Sequence, residues 1–246
     1  MRKTPASLIA IALCAASGIA QASPSGGWDW MIAPYVWAVS VGTDLETTSP
    51  PSSSSNDTTF DDLFDKIDGA FQVHAEGQGD EFGVFADFTY LGLADETDLP
   101  RFRTENDLDS RLLDVALVWS PGPVRMQGFE AFGGLRAIDL DFSAQLIPLN
   151  PAFQPVVVDT NKTFNDFMLG ARYTWALDDR WGVTVRGDAS WGDTDGTFNA
   201  SVVGNYRTDS GAWLFGYRYL DIDIEPTGQQ VNVTLSGPMI GYGFRF

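Results

Sequence analysis

Apolar residues alternate strictly with polar or small ones in segment after segment of this chain. In "FGVFADFTYLGL", Val84, Ala86, Phe88 and Tyr90 share one parity, and Asp87 and Thr89 the other. "SRLLDVALVWS" sets Leu113, Val115, Leu117 and Trp119 against Asp114, and "FNDFMLGARYTW" sets Phe167, Leu169, Ala171, Tyr173 and Trp175 against Asp166, Gly170 and Arg172. Successive side chains of a strand point to opposite faces, so a two-residue period means strands with different surroundings on their two faces. The last stretch, "GPMIGYGFRF", keeps the rule through Ile240, Tyr242, Phe244 and Phe246. After the N-terminal segment no stretch approaches the length of apolar run that a spanning helix needs, about 20 residues, which excludes a helical membrane protein. A closed barrel remains, because its strands carry apolar residues only at every second position.

The same reading extends along the chain. "DGAFQVHAEGQ" alternates Phe71, Val73 and Ala75 with Gln72, His74 and Glu76. "MQGFEAFGGLRAIDL" sets Phe129, Ala131, Gly133 and Leu135 against Glu130, Phe132 and Arg136, and "WGVTVRGDASW" sets Trp181, Val183, Val185, Ala189 and Trp191 against Thr184, Arg186 and Asp188. "FNASVVGNYR" precedes "AWLFGYRYLDI", where Trp213, Phe215, Tyr217 and Tyr219 oppose Gly216 and Arg218. The first strand, "WDWMIAPYVWAVSV", is apolar on both parities, and its Pro34 implies a bulge or edge-like position. The count is about ten antiparallel strands, within a range of eight to twelve, in an up-and-down transmembrane barrel with both ends of the chain on one side.

The connections differ in length. "QGDE", "SPGP" and "LDD" are tight turns; the polar segment from Gly42 to Asp68, "ADETDLPRFRTENDLD" and "DFSAQLIPLNPAFQPVVVDTNKT" read as long loops. Within the first, Phe60, Leu63, Phe64 and Ile67 fall at helical spacing, an amphipathic turn folded over the rim. Trp119, Trp175, Trp181 and Trp213 flank the short turns and form an aromatic girdle there.

Arg2 and Lys3, an apolar run from Leu8 and the small-x-small site Ala20-Gln21-Ala22 read as a secretory signal peptide over residues 1–22, leaving the barrel to residues 23–246. Cys14, the only cysteine, is then lost, and no disulfide or thiolate site remains. With 15 Lys and Arg against 33 Asp and Glu, nucleic acid is excluded as a partner on charge.

On "GWDWMIAPYVWAVSVGT", "FGVFADFTYLGL", "LGARYTW", "GYRYLDIDI" and "GYGFRF", the chain resembles a broad group of proteobacterial outer-membrane β-barrel proteins, mostly without an assigned activity. The resemblance implies a place in the bacterial outer membrane, with lipid and lipopolysaccharide as surroundings. It also makes Tyr242, Phe244 and Phe246 look like the signal read by the barrel assembly machinery during insertion.

The inward parity collects His74, Glu76, Asp87, Asp114, Glu130, Arg136, Asp166, Arg172, Arg186, Asp188, Arg218 and Arg245. Buried charges persist when paired and hydrogen-bonded, so these residues read as a salt-bridged polar network that fixes strand register; a narrow charged pore is the alternative. The sharpest enzymatic pattern is His74 beside Glu76, a general base with its orienting carboxylate. No Gly-x-Ser-x-Gly elbow accompanies it, and a satisfied interior histidine is the preferred reading over a hydrolase. Asp57, Asp61, Asp62 and Asp65, then Asp95, Glu96, Asp98, Glu105 and Asp107, then Asp193, Asp195, Asp221, Asp223 and Glu225 load the long connections with oxygen ligands. These suit loosely held divalent cations bridging to lipopolysaccharide, without the spacing of a defined cage. The expectation is a non-enzymatic barrel without cofactor or fixed metal, serving a structural or surface-interaction role in the envelope; the alternative is a small porin-like channel.

Overall fold

The computed structural model describes residues 27–48, 51–98, 101–149, 154–225 and 229–246. The expected signal peptide lies outside them.

Twelve strands are assigned among the described residues: β1 (Asp29–Trp37), β2 (Ser40–Thr48), β3 (Pro51–Thr58), β4 (Ile67–Gln78), β5 (Phe82–Asp98), β6 (Phe102–Trp119), β7 (Gly128–Pro148), β8 (Val156–Ala176), β9 (Trp181–Gly192), β10 (Gly196–Arg207), β11 (Gly211–Ile224) and β12 (Gln229–Arg245). Each pairs antiparallel with its neighbours, and β1 pairs with β12, which closes the sheet. They make ten staves. β1 and β2 run along β12 in one unbroken register, from Met31 opposite Arg245 to Thr47 opposite Gln229. β3 and β4 share the second stave, and the barrel therefore has ten strands around its circumference.

The second stave is interrupted for a local reason. Pro34 is the last β1 residue paired with β4, opposite Val73, and pairing resumes between Val41 and Thr58. Six residues on one stave, 35–40, thus face fourteen on the other, 59–72, and the surplus is the excursion that carries the short helix α1 (Phe60–Phe64). Thr59 and Asp62 close a reciprocal capping box on α1, and the Thr59 hydroxyl holds the Asp62 carboxyl below its usual range. Leu63 is the buried residue of this turn. Where β4 diverges, the Trp37 N–H loses its ladder partner and donates instead to Oε1 of the buried Gln72, at 2.5 Å. Gln72→Leu should orphan that donor and lower stability by about 1–3 kcal/mol, read as a reduced midpoint in urea unfolding; an unchanged midpoint would sink this account.

The exterior follows the sequence parity. Leu113, Val115, Leu117, Leu135, Phe167, Leu169, Val185, Phe215 and Ile240 are exposed on the outer face. Trp119, Trp175, Trp181 and Trp213 sit beside the short turns with exposures from 41% to 49%, which places the girdle as read from sequence. At the other end the belt stops at a polar row. Arg111 pairs with Asp139 at 2.8 Å, and the Thr163 hydroxyl donates to the same carboxylate at 2.8 Å. From Phe167 to Trp175 the belt covers about 27 Å along β8 at ~3.4 Å per residue, or about 21 Å along the axis at a tilt near 40°. A surface that is apolar outside and charged inside has only lipid as its matching solvent.

Much of the two later segments expected as loops is strand. β5 and β6 continue to Asp98 and from Phe102, and β7 and β8 to Pro148 and from Val156. The Ser/Pro-rich region is the hairpin β2–β3. Above the belt both faces of a hairpin meet water, so alternation disappears from the sequence while the backbone ladder continues. The resulting rim is uneven, because β9 and β10 turn back at Gly192–Gly196, level with Asp166. The β8 stretch Val156–Asn165 extends past them, paired only with β7.

Candidate functional site

Three tiers of side chains fill the lumen. Nearest the short turns, Arg172 on β8 reaches across to β4, where Nη1 donates to Glu76 Oε2 at 2.9 Å and Nη2 to Oε1; its Nε donates to Glu130 Oε2 at 2.5 Å. Gln78 Nε2 meets the other Glu130 oxygen at 2.6 Å. His74 lies between two carboxylates, Nδ1 at 3.1 Å from Asp87 Oδ2 and Nε2 at 3.2 Å from Glu76 Oε2.

The middle tier centres on Arg136, which is fully buried. It forms a fork with Asp114 at 2.8 and 2.9 Å, reaches Asp188 at 2.7 Å and donates to Thr197 at 2.6 Å. Arg186 binds Asp188 at 2.7 Å and stacks on Phe85 and Phe132, at 4.9 and 4.8 Å from their ring centres. Arg218 binds Asn199 at 2.9 Å, approaches Tyr35 and Asp87 at 3.3 Å, and stacks on Trp37 at 4.9 Å. Planar guanidinium groups suit this combination of forked carboxylate pairing and stacking on rings.

The third tier, toward the tall hairpins, is apolar: Trp37, Leu112, Ile138, Phe164, Leu220 and Ile222 pack together inside the barrel. The sequence reading missed it, because a barrel interior was taken to be polar throughout. Leu112, Ile138, Phe164, Leu220 and Ile222 share the inward parity of Asp114, Arg136, Asp166 and Arg218 on their own strands, so the sequence carries the signal for them; Trp37 lies on β1, which is apolar on both parities and gives none. Tyr35, Asn199 and Thr197 were missed for a different reason: the parity of their strands had been left unassigned.

Of the twelve inward residues read from sequence, ten meet in this lattice: His74, Glu76, Asp87, Asp114, Glu130, Arg136, Arg172, Arg186, Asp188 and Arg218. Two do not. Asp166 faces Arg136 in the β7–β8 register but holds the β9–β10 turn instead, accepting from Ser190 at 2.8 Å and from the Thr194 amide at 3.1 Å and hydroxyl at 2.5 Å. Arg136 passes it by for the two carboxylates that also neutralise its neighbours. Arg245 is exposed at the short-turn mouth and forms no ion pair among the described residues. The carboxylates of the tall hairpins stay dispersed, and no group of three or more among the described residues is placed to hold a metal ion.

No family model matches this chain, and no curated protein does. Among solved structures, Ail, the attachment invasion locus protein of Yersinia pestis, is similar at 9% identity and a TM-score of 0.40, over 90% of this chain and 100% of that one. The outer-membrane protease OmpT of Escherichia coli is similar at 8% identity and 0.49, over 89% and 96%, and OprG of Pseudomonas aeruginosa at 12% and 0.32, over 90% and 96%. The membrane assignment rests on this chain's own closure, its unbroken apolar belt and its tryptophan girdle. By these features the chain is an antiparallel ten-strand β-barrel protein of the bacterial outer membrane.

Proposed function

We propose that this protein is a closed, non-conducting barrel that acts through the hairpins it raises above one rim, in a structural or surface-interaction role. The filled lumen carries this reading: the Arg136 lattice spans the interior from β6 to β10, and the apolar tier covers it. An ion moving along the axis would have to break paired charges and then cross packed side chains. The short turns face the periplasm and the tall hairpins the outside, where Asp95, Glu96, Asp98, Glu105 and Asp107 give the β5–β6 hairpin a strongly acidic surface. A partner with cationic groups, or divalent cations shared with lipopolysaccharide, fits that charge.

The reading is non-enzymatic. Both ring nitrogens of His74 are engaged by carboxylates, so neither is free to take a proton from a hydroxyl nucleophile. Purified protein in planar bilayers should show a flat current. Steady open channels would overturn the closed-barrel reading in favour of a porin-like one.

A further inference from the structure

Below the ionic tier, toward the short turns, the lumen holds a cavity of about 170 Å³. That is several times the roughly 30 Å³ that one water occupies in the liquid. Its walls carry an imbalance of charge: five arginines line it, against three carboxylates. The carboxylates are Glu76, Asp87 and Glu130, and each is already engaged, the first and third by Arg172 and the second by His74 and Arg218. The two remaining lining arginines not tied into the lattice are Arg207 on β10 and Arg245 on β12. Neither forms an ion pair among the described residues. Arg207 Nε is shielded from solvent with no hydrogen-bond partner, and so is Nη2 of Arg218 in the same wall. Arg245 feels Arg207 as a like charge, with Asp29 and Glu76 as the opposite ones, neither within ion-pair distance.

The mouth of the cavity is built, not open by default. The β6–β7 connection leans over it, with Met126 in the left-handed backbone region and its amide donating to Gln78 Oε1 at 2.7 Å. Arg125 ties this connection to Asp80 at 2.6 Å and to Asp29 at 3.4 Å. Buried guanidinium N–H groups without acceptors are costly, and an oxyanion with several acceptor oxygens satisfies them together. From this geometry we infer that the short-turn end of the lumen is a binding site for a small oxyanion of the phosphate or carboxylate class, held by Arg207 and Arg245 with Arg218 behind them. Asn205 and Ser201, which line the same wall, supply neutral hydrogen bonds. The inference is independent of the role of the outer hairpins.

Calorimetric titration of the folded barrel in detergent with inorganic phosphate, at constant ionic strength set with chloride, tests it. The expected result is saturable one-site binding, weakened at least about tenfold by Arg207→Gln and by Arg245→Gln, the loss of one charge-assisted hydrogen bond. Arg111→Gln, the same charge change on the outer surface, should leave it unaltered. Because both lumen arginines lack structural partners, the variants should keep the heat-modifiable migration of the folded barrel. The wild type decides the matter even if a variant misfolds: no saturable heat up to about 10 mM phosphate means that water alone fills the cavity. Binding equal in wild type and both variants would likewise overturn the site.

Discussion

Replacing Arg136 by Met should lower the unfolding free energy of the barrel by about 3 kcal/mol or more, within the range of roughly 3–5 kcal/mol for breaking a buried ion pair. The side chains of Arg136, Asp114 and Asp188 are all at 0% exposure, so neither carboxylate can recover its hydration when the guanidinium is removed. Asp114 keeps more distant cations in Arg186 at 3.4 Å and Arg218 at 3.8 Å, and Asp188 keeps Arg186 at 2.7 Å. These contacts hold the loss toward the lower end. Urea unfolding in lipid vesicles reads the effect, and adding Asp188→Asn to Arg136→Met should recover part of it by removing one stranded charge. A midpoint unchanged by Arg136→Met would mean that water enters the lattice freely, and the closed lumen would fall with it.

The second large effect lies on the outside. Leu169→Arg on β8 should destabilise the membrane-inserted barrel by about 2–4 kcal/mol, the cost of an arginine facing lipid near the middle of the bilayer. Leu169 is 46% exposed, and on a water-facing surface the same change would be close to neutral. Val157→Arg, 50% exposed but on the hairpin above the polar row, serves as the matched control and should shift stability little. Equal responses at the two positions would contradict the position assigned to the belt.

What could be read in advance follows from where the chain meets two solvents. Through the belt, lipid on one face and a charged lumen on the other write a two-residue code, so the outward Leu113–Trp119 and Phe167–Trp175 sets and most inward charges could be assigned from parity alone. Above Arg111 and Asp139 both faces are wet. There the code vanishes, and the tall β5–β8 hairpins passed for loops. Parity also says which way a side chain points but not how far it reaches. Arg136 has a carboxylate opposite it on each adjacent strand, Asp114 on β6 and Asp166 on β8, and its guanidinium takes the first and reaches past the second to Asp188 on β9. The apolar tier was hidden by a different assumption. Trp37, Leu112 and Leu220 point inward like the charges beside them, and only packing distinguishes a lumen lined with apolar groups from one filled by them.

The geometry of the lattice bears finally on how such a barrel comes into being. Arg172 sits four staves from Glu76, and Arg218 four staves from Asp87, so these pairs span nearly half the circumference. An open, growing sheet cannot form them. Until β1 meets β12, Arg218 is parted from Asp87 and from the ring of Trp37, whereas pairs on adjacent strands, such as Arg136 with Asp114 and Arg172 with Glu130, can form as the sheet grows. Part of the interior's stabilisation therefore waits for ring closure. Once the ring is shut, peeling away a strand at the seam means separating the charges that meet across it.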